Sequence, residues 1–533
     1  MQGDRKEIMS SNVFGIHFRR HFFVVNARKA AVDPRKLQSN FRRAKQGYLL
    51  KKKKHIFHEL FIVFPITVLY NSFAFWNIAM EGKEMSAKKS KMKNLTEGSP
   101  AKLIIGFAIP MFLGMLFQQF YSMVDTMIVG KFLGLKPLAG VGSTGSLNFM
   151  VIGFCIGVCN GFAIPVAQKF GAKDESALRR FVANATWLCI GFAAVMTLAS
   201  SVFCRDILLF LRTPEDVFQY AYWYMLIIFL GIPCTFLYNF LAALIRSLGD
   251  SRTPVVFLAI SSVLNIGLDL VFILLFRWGV IGAALATVLS QGISGICCLW
   301  YVGKTFPILH GSRNEWKAQP KYMVRLCTIG IPMGLQYSIT AIGTLVIQAA
   351  VNGFGATVMA GVTAAGRLGN FLSCPIEALG QTMAPYVGQN VGAGKLDRVG
   401  KGLKAASLMG FCVSAVLLVI VVLFGRRMSV LFLDADEIEA MGYAYQYMTV
   451  TAAGYCLLTL VNTVRFTIQG MGFSGIAILA GVFEMAARTL AGTLLVAVSG
   501  YFGICMANTL AWIFADAFLI PAFFLCRRKL AKR

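Results

Sequence analysis

The chain has 533 residues, of which 57% are hydrophobic and only 14% charged, with a mean hydropathy of +0.66. Soluble domains carry about a quarter charged residues, so this balance excludes a soluble globular protein and defines an integral membrane protein. The formal net charge of +27 does not indicate nucleic acid: the basic residues lie in the N-terminal stretch and in short breaks between apolar runs, where the positive-inside rule accounts for them.

Residues 1–91 differ from everything after them, with 19 Lys and Arg against 6 Asp and Glu. Their one apolar patch, Ile56–Met80, has the length of a span. If it crossed, the 15 basic residues of 1–54 would lie on the side opposite the other basic loops. The segment reads as a basic, disordered or dispensable extension, an over-long start whose true position is near Met85 or Met92.

From Leu103 onward apolar runs recur with charged or Gly/Pro-containing breaks. They predict twelve transmembrane helices at 103–129, 138–165, 180–203, 217–244, 255–276, 280–303, 324–351, 357–387, 402–424, 440–468, 474–498 and 501–526. The first run is broken by Pro110 and carries one charge, Asp125. A carboxylate near the bilayer centre costs roughly 2.5–3.5 kcal/mol or more, and a proline removes a backbone hydrogen bond and permits a bend. A bendable helix with one buried acid has the makings of a moving part with an ion handle. Glycines 153, 157 and 161 form a small-xxx-small row in the second run, which reads as close helix packing. The thirteen cysteines lie mostly within apolar runs and show no zinc spacing, so they read as small buried hydrophobes.

The breaks sort by charge. Lys169, Lys173, Arg179 and Arg180 follow the second run, Arg246 and Arg252 the fourth, Lys395, Arg398, Lys401 and Lys404 the eighth. The opposite breaks carry Asp206, Glu215, Asp216 and Asp434–Glu439. Both termini are therefore expected to be cytoplasmic. An internal repeat is also present: Ile109-Pro-Met returns as Ile331-Pro-Met, Ala139-Gly-Val as Ala360-Gly-Val, and Pro165, Gln168 and Gly171-Ala as Pro385, Gln389 and Gly392-Ala. The displacement is about 220 residues. The expected fold is all-α, an integral membrane protein with twelve helices in two pseudo-symmetric six-helix lobes. The N-lobe covers 92–303, a cytoplasmic connector 304–323, and the C-lobe 324–533. Parallel repeats around a central cavity suit alternating access.

Polar residues inside the apolar runs carry the chemistry. Asp125 shares a helix face with Tyr121, and Gln118 lies a turn further back. Asn265 and Asp269 are four apart in the fifth run, Thr287 lies in the sixth, and Asn239 in the fourth. Carboxylates, an amide oxygen and a hydroxyl form an all-oxygen environment that suits a hard cation such as Na+, or a shared proton.

With these residues in place, the part from Met92 to Arg533 resembles the multidrug and toxic compound extrusion family. The resemblance rests on Val124-Asp-Thr in the first run, Gly392-Ala-Gly, Leu248-Gly-Asp-Ser-Arg-Thr-Pro254, Asn265-x-x-x-Asp269, and Gly282-Ala with Thr287. It implies two six-helix lobes in a V and antiport of Na+ or H+ against amphipathic, often cationic compounds. It further implies a coupling-cation site of Asp125, Asn265, Asp269 and Thr287, with Gln118, Tyr121 and Asn239 lining the N-lobe cavity and Pro110 as the hinge. The seventh run carries no acid, unlike one branch of that family. Glu484 lies four residues before Arg488, so an internal ion pair is its expected role; the alternative is that Glu377 or Glu484 faces the cavity and contacts substrate.

These readings give a bacterial cell-membrane exporter with no cofactor beyond the coupling ion. Its partners are small organic molecules and the lipid bilayer, it binds no nucleic acid, and it acts as a monomer. The rival is a lipid-linked oligosaccharide or lipid flippase, for which a more basic central cavity is expected than the acids of the N-half suggest. A membrane enzyme lacks support, since neither HExxH nor a P-loop occurs.

Overall fold

The computed structural model describes residues 93–310, 312, 314–434 and 436–532. The expectation for 1–91 lies outside them. The described residues belong to one compact unit, and every regular element among them is helical. That follows from the solvent: an apolar run in lipid must satisfy its backbone internally, which a helix does.

The first half runs α1 (Pro100–Leu133), α2 (Leu135–Ser143), α3 (Gly145–Gly171), α4 (Glu175–Val202), the short α5 (Cys204–Phe210), α6 (Glu215–Leu230), α7 (Ile232–Ser247), α8 (Arg252–Leu270) and α9 (Val280–Thr305). The second half runs α10 (Pro320–Asn352), α11 (Ala356–Gly392), α12 (Leu396–Ser429), α13 (Ile438–Ala453), α14 (Tyr455–Gly470), α15 (Ser474–Leu490), α16 (Val496–Ser499) and α17 (Tyr501–Ala531). By length and hydropathy nine stretches among the described residues can span a membrane alone, and the bent pairs α6–α7 and α13–α14 add two. The twelfth span is α11: its 37 residues are long enough, but Arg367, Asn370, Glu377, Gln381 and Gln389 dilute its hydropathy. The chain is a multi-pass membrane protein of two six-helix lobes.

The fourth and tenth spans, expected as single helices, are each broken. The bend is 49° at Gly231 and 50° at Gly454. Pro233 in the first turn of α7 supplies part of the reason, since a proline is tolerated where the N–H has no intrahelical partner. The repeat is visible in the backbone itself. Five-residue π-helical turns at Val271–Leu275 and Ala491–Leu495 close the fifth and eleventh spans. Gly134 and Gly355, at φ 91° and 90°, turn the chain between the first two spans of each half.

The lobes meet mainly through α3 against α10 and α1 against α11. Glycines 157 and 161 lie directly on the Met333–Gly334 and Gly330 backbone, where a methyl group would collide. This is the close packing expected of the small-xxx-small row, and it forms the seam between lobes. One end is fastened by two related bonds. Gln168 Nε2 donates to Gly470 O at 3.0 Å, and Gln389 Nε2 donates to Ser247 O at 2.9 Å. Beside them, a methyl on Gly171 would strike the Gln389 carbonyl oxygen, and one on Gly392 the Gln168 carbonyl oxygen. The basic breaks after the second, fourth and eighth spans lie at this same end.

Helix α1 changes partners along its length. Ile104, Phe107, Ala108 and Met111 are buried in the core of the second half, whereas Gly114 rests on Val255 and Leu258 of α8. Pro110 stands at the changeover, inside a helix that stays continuous. Between the halves, Glu315 ties the connector down: Arg179 Nε donates to Glu315 Oε2 at 2.9 Å, and so does the Ser312 amide. These donors favour the charged form and hold the Glu315 carboxyl down at about 2.

Candidate functional site

The fold brings Asp125, Asn265, Asp269 and Thr287 together inside the first half. Asn265 and Asp269 occupy successive turns of one α8 face and are 1% and 0% exposed. The carboxyls of Asp125 and Asp269 are near enough to act on one another. Asn265 Nδ2 donates weakly to Thr287 Oγ1 at 3.4 Å, and Thr287 donates to Ala283 O on its own helix. That orientation commits the amide N–H and leaves its oxygen open.

No donor reaches Asp125 Oδ1, Asn265 Oδ1 or either oxygen of Asp269. As carboxylates, the two acids have no proton to offer one another. Buried oxygens are normally hydrogen-bonded, and leaving even a neutral one unpaired costs about 1–3 kcal/mol. Four such oxygens in one buried patch therefore form a receptor for a cation or for a proton shared between the carboxyls. The donor set is hard oxygen throughout, which fits Na+ as a transported ion.

Tyr121 lies beside this group as expected, and both carboxylates act on it electrostatically. They act equally on Tyr224 of α6, a buried side chain that the sequence reading missed. Tyr224 lies within the aromatic run Tyr220–Tyr224, which has no helical period to single it out. Asn239 Nδ2 donates to Thr235 O of its own helix. Gln118 is exposed on α1 and takes part in none of the hydrogen bonds of the site.

Among the described residues, the second half has no counterpart of this partnerless acid pair. Glu377 of α11 accepts from Ser373 Oγ at 3.3 Å and lies near Tyr337 and Tyr455. Glu484 is 3% exposed and is committed to arginines: it pairs closely with Arg465 of α14, and its other oxygen lies 3.7 Å from Arg488 Nη1. Of its two possible roles, the ion pair is the one the geometry displays, with a second arginine added. Asp516 of α17 lies in the field of Arg465 and Glu484, 4% exposed, with neither oxygen hydrogen-bonded. Two arginines and two acids thus form a buried cluster across α14, α15 and α17. Sequence reasoning found Glu484 and Arg488 only, because the other members come from separate helices with no local pattern.

A further departure concerns Arg246. Sequence reading placed it in a break after the fourth span. Helix α7 in fact continues through Ser247, so Arg246 occupies the last helical turn. It borders a cavity at the seam between the lobes, lined among others by Asn160, Gln381 and Phe466. A half-buried arginine is therefore present in the N-lobe, where only acids were expected.

Two six-helix halves related by a parallel repeat, with an unsatisfied oxygen cluster buried in one of them, define the class of multi-pass membrane transporters. The family model MatE matches residues 110–271 and 332–488, the two copies of the repeat. The chain belongs to the MatE family. It is 32% identical over 387 residues to the "Probable multidrug resistance protein YpnP" of Bacillus subtilis (strain 168), covering 72% of this chain and 84% of that protein. It is 28% identical over 373 residues to the "Probable multidrug resistance protein YoeA" of the same organism, covering 69% and 80%. A solved structure described as the outward-facing conformation of a multidrug resistance MATE family transporter of the MOP superfamily has the same fold. It superposes with a TM-score of 0.77 at 19% identity, over 84% of this chain and 99% of that one.

Proposed function

We propose that this chain is a secondary active exporter of amphipathic organic compounds, taking Na+ or H+ inward in exchange by alternating access of the two lobes. The observation that carries the reading is the patch of four partnerless oxygens from Asp125, Asn265 and Asp269. The names of YpnP and YoeA, which describe those proteins as multidrug resistance proteins, support efflux of drug-like compounds. The basic end, where Gln168 and Gln389 fasten the lobes, is taken as cytoplasmic; this puts both termini of the helical part inside a bacterial cell membrane. The chain acts as a monomer, since each lobe finds its partner within the chain.

In the cycle we infer, the compound enters between the lobes. A cation or proton then enters the Asp125–Asp269 patch and relieves the repulsion between the carboxylates. The second half of α1, which carries Asp125, shifts toward α8 by bending at Pro110, and the compound is displaced. One charge moved across 100 mV supplies about 2.3 kcal/mol, and each tenfold gradient requires about 1.4 kcal/mol. A neutral compound can thus be held well above tenfold, whereas a monovalent cation exchanged for one proton draws on the chemical gradient alone.

The test is ethidium efflux from energised cells or vesicles carrying wild type, Asp125→Asn or Asp269→Asn. Loss of efflux in both variants, with normal membrane levels, is the expected outcome. Undiminished efflux in both would remove the coupling site from this patch.

A further inference from the structure

The seam cavity and the guanidinium of Arg246 have no place in the coupling cycle. Arg246 Nη2 donates to Asn160 Oδ1 of α3 at 3.1 Å, the single hydrogen bond of this side chain among the described residues. No carboxylate forms an ion pair with it; the pairs among the described residues lie elsewhere. The Arg246 side chain is half-buried, and a guanidinium drawn that far from water without a counter-charge is costly unless something binds it. The contrast with Arg465 and Arg488 is informative: both of those form ion pairs with the carboxylate of Glu484.

The surroundings of Arg246 are also donor-rich. Asn160 gives its oxygen to Arg246, and its amide N–H2 makes no hydrogen bond among the described residues. Gln381 of α11, on the facing lobe, borders the same cavity and makes no hydrogen bond among the described residues. Met111, Met333 and Phe466 complete an apolar wall. Glu377 lies one turn before Gln381 on α11, so the opposite charge stands on the C-lobe side.

From this geometry we infer that the seam cavity binds the anionic group, a carboxylate or a phosphate, of an amphipathic compound, with Arg246 as its anchor and Asn160 and Gln381 as flanking donors. The planar fork of an arginine matches either group in a bidentate manner. Glu377 sets the direction of binding by repelling the anionic end from the C-lobe. Because α3 and α7 supply one wall and α11 the other, the occupant is held only while the lobes are together at this end. The inference deepens the exporter reading and, for transport, rests on it; the binding step stands by itself.

Purified protein in detergent is titrated with two matched dye pairs by fluorescence anisotropy: rhodamine B against its ethyl ester, and flavin mononucleotide against riboflavin. Each pair differs in one anionic group. Wild type is expected to bind the acid member of at least one pair about tenfold or more tightly. Preference in the rhodamine pair alone identifies carboxylate, in the flavin pair alone phosphate, and in both a general anion site. Arg246→Gln is expected to bring the ratio to about one while leaving ester or riboflavin binding within about twofold, with Arg246→Lys retaining part of it. Asn160→Asp, which places a carboxylate on the guanidinium without removing it, is expected to abolish the preference in a protein whose fold is undisturbed. Equal affinities within each pair in wild type, or a preference that survives both Arg246→Gln and Asn160→Asp, would overturn the assignment. Reconstitution into liposomes separates the two claims: a preference in binding with no transport of any dye would defeat the exporter reading and leave the anion site standing.

Discussion

Asp269 is fully buried and neither of its oxygens meets a donor. A charge so placed persists only if a cation or proton arrives to neutralise it. Replacing it by asparagine removes the charge and keeps the shape. Asp269→Asn is thus expected to abolish gradient-driven efflux while leaving thermal stability equal or higher, measured by fluorescence-detected unfolding in detergent. Glu484 calls for the opposite result. Its removal leaves Arg465 and Arg488 buried and unpaired, so Glu484→Gln is expected to destabilise by about 3–5 kcal/mol, seen as a clear drop in melting temperature. Equal stability of the variant and wild type would contradict the arginine pairing. Residues at this scale were legible in the sequence where a charge interrupts an apolar run and has a partner in helical register: Asp125, Asn265 and Asp269 qualify. Arg246 looked like a loop charge because the end of α7 was placed three residues early. Arg465, Asp516 and Tyr224 act through neighbours on other helices, and no local pattern announces that.

At the scale of elements, the helices themselves were readable from apolar length, since lipid leaves no alternative to an internally bonded backbone. Their interruptions were not. The bends at Gly231 and Gly454 and the π turns at Val271–Leu275 and Ala491–Leu495 are tolerated because neighbouring helices satisfy or cover the loosened backbone, a property of packing rather than of composition. Pro110 lies where α1 passes from one lobe's core to the other's contacts. Pro110→Ala restores the missing backbone hydrogen bond and stiffens this point, so it is expected to slow turnover severalfold with dye binding unchanged; unchanged turnover would remove the hinge role. The connector offers a pH test. Glu315 is held down at about 2, below the ordinary glutamate value near 4.3. Its contribution is fully present above that ordinary value and is lost as pH falls through it toward about 2. Hydrogen exchange of the connector amides, corrected for intrinsic rates, is expected to show protection falling between about pH 4.5 and 2, and not to change in that window for Glu315→Gln.

At the scale of the whole molecule, the internal repeat announces two lobes, and the fold adds how one end is locked. Gln168 and Gln389, equivalent positions of the two halves, each reach the helix end of the opposite lobe, and Gly171 and Gly392 permit the approach. A methyl at either glycine meets backbone, which has little room to yield. Gly171→Ala and Gly392→Ala are therefore expected to drive this end open, lengthening the distance between spin labels at Lys173→Cys and Lys395→Cys, with a larger effect in the double variant. No change in that distance would show that the fastening is not where the lobes separate.

The coupling patch is tested most directly by substrate efflux from liposomes containing purified protein, with Na+ and pH gradients imposed one at a time on wild type and on Asp269→Asn. One gradient is expected to drive uphill ethidium movement in wild type, and neither is expected to do so in the variant. Uphill movement of equal rate in Asp269→Asn, or uphill movement in wild type with both gradients collapsed, would contradict the coupling role of the patch.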